Sequence, residues 1–250
     1  MVAARRTPPN VVTFDFWNTL VCEDGGARDR RVDAWLGVLE GEGLALERER
    51  LHEAVGESWG AFLAAWRRNR TYGATDAVDD VLGALGLTPP SAVRTALVEV
   101  ITDPSPEHHP RPTEHIEDCL RTLREAGIRI GIICDVGLAP STTLRRFLDG
   151  HGLLGYFDHW SFSDDVGTFK PDPAIFHHAL DGLGGADPRD AAHVGDLRRT
   201  DIAGAKALGI TAVRYTGVFD DLGNDDDGTA EIEADVVLAD HADLATALGL

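Results

Sequence analysis

The sequence predicts an α/β protein, a doubly wound parallel sheet with an all-helical segment inserted after its first strand. Three observations carry this. "VVTFDF" at 11–16 is an apolar, β-branched run of strand length. Residues 27–102 then hold no convincing strand, only four stretches with apolar residues at three-to-four spacing. From residue 113 strands and helices alternate to the end, the pattern of a parallel sheet covered on both faces.

Taken in order, residues 1–9 read as a disordered tail, and the first strand follows at 11–16. The insert reads as four helices: "ARDRRVDAWLGVLEGEG", "ERERLHEAVGESWGAFLAAWRRNR", "ATDAVDDVLGALGL" and "SAVRTALVEVI". Leu51, Val55, Trp59, Phe62, Leu63 and Trp66 make the clearest stripe and are expected in the core of this helical unit. "DPSPEHHPRP", with four prolines, reads as a connector. Then come a helix ending at Gly127, the strand "IRIGIIC", the helix "STTLRRFLDGHG", the short strand "FDHWSFS" and the helix "DPAIFHHALDGLG". "AAHVGD", "TDIAGAKALG" and "ITAVRY" give strand, helix, strand; "ADVVLA" and "ADLATALGL" close the chain. The acidic stretch 220–228, "DDLGNDDDG", reads as a solvated loop rather than a second metal site.

A chain of 250 residues can bury a sizeable core, as one large or two modest domains. Its formal charge of −19 argues against nucleic acid or an anionic membrane surface as partner. Cys22, Cys119 and Cys134 are odd in number and lack CxxC spacing, which suits a reduced, cytoplasmic setting. An Arg pair opens the chain without an apolar run behind it, and nothing has the length of a membrane span. No GxGxxG follows the first strand and no GxxxxGK[ST] occurs, so the nucleotide-cradling loops are missing. Lys170 and Lys206 are the only lysines among 23 basic residues, so a lysine at a strand end asks for a chemical reason.

Ligands of open parallel sheets collect at the carboxyl ends of the strands. There the sequence places Asp15-Phe16-Trp17-Asn18-Thr19, Cys134-Asp135, Asp164-Asp165 with Lys170-Pro171 beyond, and Gly195-Asp196 followed by Asp201. Acids gathered so closely are costly unless a cation shares the site, and Mg²⁺ suits oxygen ligands beside a substrate phosphate.

The order "DxxxT" after a strand, a small polar residue ending the second strand, "KPDP", then "GDLRRTD" resembles the haloacid dehalogenase superfamily. The resemblance runs from about residue 11 to 250 and matches the helical insert to that family's helical cap (of the C1 type). It implies a Rossmann-like catalytic core at 1–22 and 110–250 and a four-helix cap at 23–109. It implies a nucleophile at Asp15 forming an aspartyl intermediate, with Thr19 positioning the nucleophile and its turn. Cys134 stands where Ser or Thr usually bonds the transferred group, and Lys170 would neutralise Asp15 and the substrate anion. Mg²⁺ would be held by Asp15, the Trp17 carbonyl and Asp196, with Asp201 binding directly or through water. Asp135 is expected beside the substrate. Arg67 and Arg70, in "AWRRNRTY", are candidates for its anions.

Trp17 departs from the pattern. Phosphatases of the superfamily usually carry there a second Asp that protonates the leaving oxygen, and indole cannot shuttle a proton. Asn18 replaces the usual Gly, and Cys134 offers a weak donor. An aromatic at 17 suits the halide-releasing branch, but that branch lacks the intact "GDLRRTD", so phosphoryl chemistry on a small phosphorylated molecule is favoured. The insert contains no lysine for a Schiff base, which sets phosphonate cleavage aside. Either the leaving group departs unprotonated, or His108 or His109 of the connector supplies the proton. The alternatives are a 2-haloacid dehalogenase and a weakly active binding module. The expected state is a cytoplasmic monomer or homodimer.

Overall fold

Val11, Val12, Thr13 and Phe14 form β1 (Val11–Phe14), a strand buried at every position, as its β-branched and aromatic composition demands of a doubly covered strand. The structure, a computed structural model, describes residues 8–223 and 228–250. Most of the expected tail and residues 224–227 of the acidic stretch lie outside the described residues.

After β1 comes a two-residue strand, β2 (Val21–Cys22), then four helices: α1 (Ala27–Gly41), α2 (Arg48–Trp66), α3 (Ala74–Leu85) and α4 (Ser91–Thr102). β3 (Arg111–Pro112) pairs antiparallel with β2. The alternating part follows as α5 (Ile116–Glu125), β4 (Arg129–Cys134), α6 (Ser141–Gly150), β5 (His159–Phe162), α7 (Ser163–Val166) and α8 (Pro173–Gly182). It continues as β6 (Ala191–Gly195), a π-helical turn at Arg198–Ile202, α9 (Ala203–Leu208), β7 (Thr211–Tyr215), β8 (Val236–Leu238) and α10 (Leu244–Leu248). The six expected strands make one sheet in the order β5-β4-β1-β6-β7-β8, all parallel. The β2–β3 pair was not expected, because two residues carry no readable periodicity.

Connectivity moves from β1 to β4 and β5 on one side, then returns to β6, β7 and β8 on the other. The direction reverses at β1, and such a switch opens a crevice at the strands' carboxyl ends. Local signals hold the flanking helices. Asp172 caps α8 by accepting from Ala174 N at 2.8 Å with Pro173 in the first turn, and α5 starts on Glu117 and Asp118 and ends near Arg124.

The described chain divides into two compact units. One, comprising Met1–Cys22, Arg111–Asp135 and Leu148–Leu250, contains the six-stranded sheet. The other comprises Glu23–Pro110 together with Val136–Phe147, so a short segment after β4 groups with the four helices. Its core gathers Val32, Trp35 and Leu39 of α1, Leu51 and Val55 of α2, Val78 and Val81 of α3 and Leu97 of α4. The Trp35 indole donates to Leu97 O at 2.9 Å, satisfying its one polar atom. Only the first two residues of the α2 stripe are core. Leu51 and Val55 are buried, whereas Trp59 is 46% exposed and Phe62, Leu63 and Trp66 are intermediate. Core residues of the other helices gather against the first half of α2, and beyond Ser58 it contributes no buried residue.

One contact ties the C-terminal region of the sheet unit to the loop after β1. Buried His241 stacks on Tyr215, with centroids 4.0 Å apart, and its Nε2 donates to Thr19 O at 2.8 Å. Burial depresses its pKa from 6.5 to about 4, so folded His241 stays neutral where the unfolded chain takes up a proton. Stability from this group is present above the unfolded value and lost as pH falls towards the folded one. His241→Phe keeps the ring but cannot titrate. Its loss of unfolding free energy between about pH 7.5 and about pH 5 should be smaller than wild type's by on the order of 2 kcal/mol. Urea denaturation at both values checks this; identical pH slopes would count against it.

Candidate active site

Asp15 stands one residue past β1 and stays in the ladder, its N–H donating to Val194 O at 2.8 Å. The backbone therefore holds the carboxylate at the sheet's switch point, 7% exposed. Lys170, from the loop between α7 and α8, is 2% exposed and donates from Nζ to Asp15 Oδ1 at 2.5 Å and Asp201 Oδ1 at 2.6 Å. Its own N–H donates to Asp135 Oδ1 at 2.8 Å, and its peptide bond to Pro171 is cis. Asp196 follows β6 and accepts from Asn18 Nδ2 at 3.3 Å. One carboxylate oxygen from each of Asp15, Asp196 and Asp201 lies within 4.8 Å of the others.

The loop after Asp15 is tightly wound. Leu20 N and Val21 N both donate to Phe16 O, at 2.9 and 3.1 Å, and Asn18 N donates to Val21 O at 2.8 Å. Asn18 takes φ +55°, a left-handed conformation that Asn tolerates better than most residues. Trp17 is half-buried, edge-on to Phe16 with centroids 5.2 Å apart. On the other side of the site Gly195 permits a close approach: a Cβ there would fall 2.3 Å from Asp201 Cγ. Asp201 rides on the π-helical turn, an element frequent at functional sites, and accepts from Leu197 N at 3.0 Å.

Burial and crowding set the charges. Burial raises the Asp15 pKa to about 7, with Lys170 opposing and Asp201 adding to the rise. Burial, then Asp15 and Asp201, push Asp196 well above the carboxylate range. Burial would also raise Asp201, but Lys170 and His193 outweigh it and hold that carboxyl low. For Lys170 burial opposes the charge, and Asp15 and Asp201 overcome it, keeping the ammonium protonated. The Cys134 thiol is pushed up by burial and by Asp15, so it stays protonated. One ammonium faces three carboxylates, a surplus that a hard divalent cation with oxygen ligands would complement.

Of the residues singled out in the sequence, Asp15, Lys170, Asp196 and Asp201 come together, with Cys134 fully buried at the end of β4. Asp135 is half-buried and holds the Lys170 backbone. Thr19 is anchored through its carbonyl, which accepts from Thr113 Oγ1 at 2.7 Å and from His241, while its buried hydroxyl has no hydrogen-bond partner among the described residues. Asp164 and Asp165 are exposed in the first turn of α7, outside the carboxylate cluster. Arg67 and Arg70 are exposed in the helical unit, just past α2. His108 Nδ1 lies 3.2 Å from Ser105 Oγ, and the His109 ring packs on Phe147 at 4.7 Å. One residue went unnoticed in the sequence, His193, fully buried with Nε2 3.1 Å from Asp201 Oδ1; Asn18 reads there only as a turn residue, and its amide contact with Asp196 was not foreseen. A histidine inside an otherwise apolar strand, three residues before Asp196, was the available signal.

The profile of the haloacid dehalogenase-like hydrolases matches residues 9–209. The chain belongs to this family. Among curated relatives, this hydrolase is 30% identical over 142 residues to the haloacid dehalogenase-like hydrolase domain-containing protein 3 of Bos taurus, covering 57% of this chain and 55% of that one. It is 34% identical over 120 residues to the glyceraldehyde 3-phosphate phosphatase of Methanopyrus kandleri, covering 47% of this chain and 50% of that one. The chain thus spans about half the length of the curated relatives it matches. Among solved structures, a HAD phosphatase from Thermococcus onnurineus shares the fold at TM-score 0.66 and 24% identity, over 96% of this chain and 98% of the other. YfnB of Bacillus subtilis, a HAD-hydrolase solved bound to magnesium, does so at TM-score 0.67 and 15% identity, over 98% and 100%.

Gly195→Ala probes the close approach directly. The added methyl must displace Asp201 or the turn that carries it, at a cost of about 1–3 kcal/mol. Denaturant unfolding measures it, and an alanine as stable as glycine would contradict this packing.

Proposed function

We propose that this hydrolase is a Mg²⁺-dependent phosphatase of small phosphorylated molecules, working through an aspartyl-phosphate at Asp15. The observation that carries the reading is the buried Lys170 ammonium bridging Asp15 and Asp201 beside a third carboxylate, Asp196. The phosphatases among its relatives support the same chemistry. The donor set fits Mg²⁺, since it is all oxygen and carries more negative charge than Lys170 balances. Asp15, Asp196 and the Trp17 carbonyl would hold the ion, with Asp201 joining directly or through water. Its contribution there is positive charge against the acid cluster and the phosphoryl oxygens.

Asp15 attacks phosphorus through a carboxylate oxygen. The new O–P bond forms as the bond to the leaving oxygen breaks, and that oxygen departs with the electron pair. Lys170 stabilises charge on Asp15 and on the phosphoryl group. Water then attacks phosphorus, releasing phosphate and regenerating the Asp15 carboxylate. The Cys134 thiol takes the place of a hydroxyl donor, and Trp17 lines the site where an acid would stand. The leaving oxygen therefore bears its own charge. The setting is the cytoplasm, in keeping with three free cysteines, and the chain acts as a monomer or homodimer. Among the described residues no helix is long and apolar enough to cross a membrane.

Asp15→Asn should reduce release of phosphate from an aryl phosphate to background while unfolding at no lower denaturant concentration, because it relieves repulsion with Asp196. EDTA should abolish the wild-type rate and Mg²⁺ restore it; persistence of either rate would sink the reading. A halide-release assay with a 2-haloacid, run alongside, tests the chemistry that Trp17 on its own would favour, since halide leaves without a proton.

A further prediction concerns the missing acid. The slope of log kcat/KM against leaving-group pKa should be steep, with aryl phosphates turned over far faster than alkyl phosphates. Trp17→Asp should flatten it, raising alkyl substrates by up to about 10²-fold. A shallow slope in the unmodified chain would mean that a proton donor is already present.

A further inference from the structure

Asp201 is bonded at both oxygens. Lys170 Nζ and His193 Nε2 reach Oδ1 at 2.6 and 3.1 Å, and Leu197 N and Thr200 Oγ1 reach Oδ2 at 3.0 and 3.4 Å. His193 belongs to none of the sequence motifs. It is fully buried on β6, and its Nδ1 lies 2.9 Å from Thr13 Oγ1 on β1. An ionised carboxylate only accepts, so Nε2 carries the proton; Thr13 Oγ1, which also lies 3.3 Å from Ala192 O, bonds Nδ1. The result is an unbroken buried line from Thr13 through His193, Asp201 and Lys170 to Asp15. An imidazole in this position buries two polar atoms where a phenyl ring would fill the same space against Phe176, whose ring meets it edge-on at 5.3 Å. Packing does not call for a histidine here. The donor to Asp201 does.

We infer that His193 is a positioning residue: by donating from Nε2 to Asp201 Oδ1 it fixes the carboxylate that aims Lys170 at Asp15. This rests on the reading of Asp15 as the nucleophile. Lys170 Nζ is shared between two carboxylates, and only a stationary Asp201 keeps it directed at the other. Groups that orient a site's charged residues from behind are typically worth about 10–100-fold.

The chain contains two lysines, which makes the test direct. With ¹⁵N-lysine labelling of the full chain, buried Lys170 gives an ammonium resonance distinct from that of Lys206, whose side chain is 42% exposed. His193→Phe should shift this resonance and lower kcat on an aryl phosphate about 10–100-fold, leaving KM within about threefold. His193→Gln places an amide N–H near the depth of Nε2 and should restore both. His193→Asn reaches only the depth of Nδ1 and should restore neither. A resonance unmoved in the Phe variant, or Gln and Asn variants equally impaired, overturns the inference. If the Phe variant does not fold, the contrast between Gln and Asn decides alone. A wild-type chain without Asp15-dependent turnover defeats the proposed function instead, and the resonance still decides the role of His193.

Discussion

The site depends on one buried ammonium. Lys170 is 2% exposed and contacts two carboxylates, with a third close by. Removing an ammonium from water costs several kcal/mol, and only partners at hydrogen-bond distance offset that. The three acids likewise could not share this volume without a cation among them. Each charge is therefore tolerable only because of the others, and the elements that carry them are held in place jointly. Asp135 holds the Lys170 backbone, the β1–β6 ladder holds Asp15, and the turn after β6 holds Asp201.

Backbone conformation makes this crowding possible. Asn18 turns through left-handed space directly after Trp17, which lets Phe16 O accept two amide donors and bends the chain into β2. Gly195 lets the Asp201 side chain lie against the main chain, where any Cβ would collide. The π-helical turn at Arg198–Ile202 sets the direction of Asp201 before α9 begins. These are local departures from regular structure, concentrated within a few residues of the acids, while the strands behind them are regular and fully covered.

On the proposed phosphatase reading, Trp17 takes the position of a proton donor, while Asp15, Lys170, Asp196 and Asp201 stay gathered as that chemistry would require. The two facts are compatible if the leaving group carries its own charge. On that reading Trp17 would contribute an apolar surface and a carbonyl, and the demands on electrostatic stabilisation by Lys170 would grow.

Much of this was legible in the sequence for a simple reason. A parallel sheet needs near-continuous apolar strands, so "VVTF", "IRIGII" and "AAHV" announce themselves, and the strand-end position of Asp15, Cys134 and Asp196 follows from chain order. A lysine at a strand end, one of two in a chain that writes its other cations as arginine, pointed to Lys170. What sequence could not supply were relations between residues distant in the chain. The burial of Leu51 but not Trp59 depends on which helices gather against α2. Asp164 and Asp165 look like strand-end acids, yet a short helix turns them to solvent. His193 gains its meaning only when β1 brings Thr13 to one ring nitrogen and the turn after β6 brings Asp201 to the other. Periodicity records what each residue prefers along its own segment. Which polar groups meet in the interior is decided by strand order, because only the assembled sheet sets β1 beside β6 and the Lys170 ammonium between their acids.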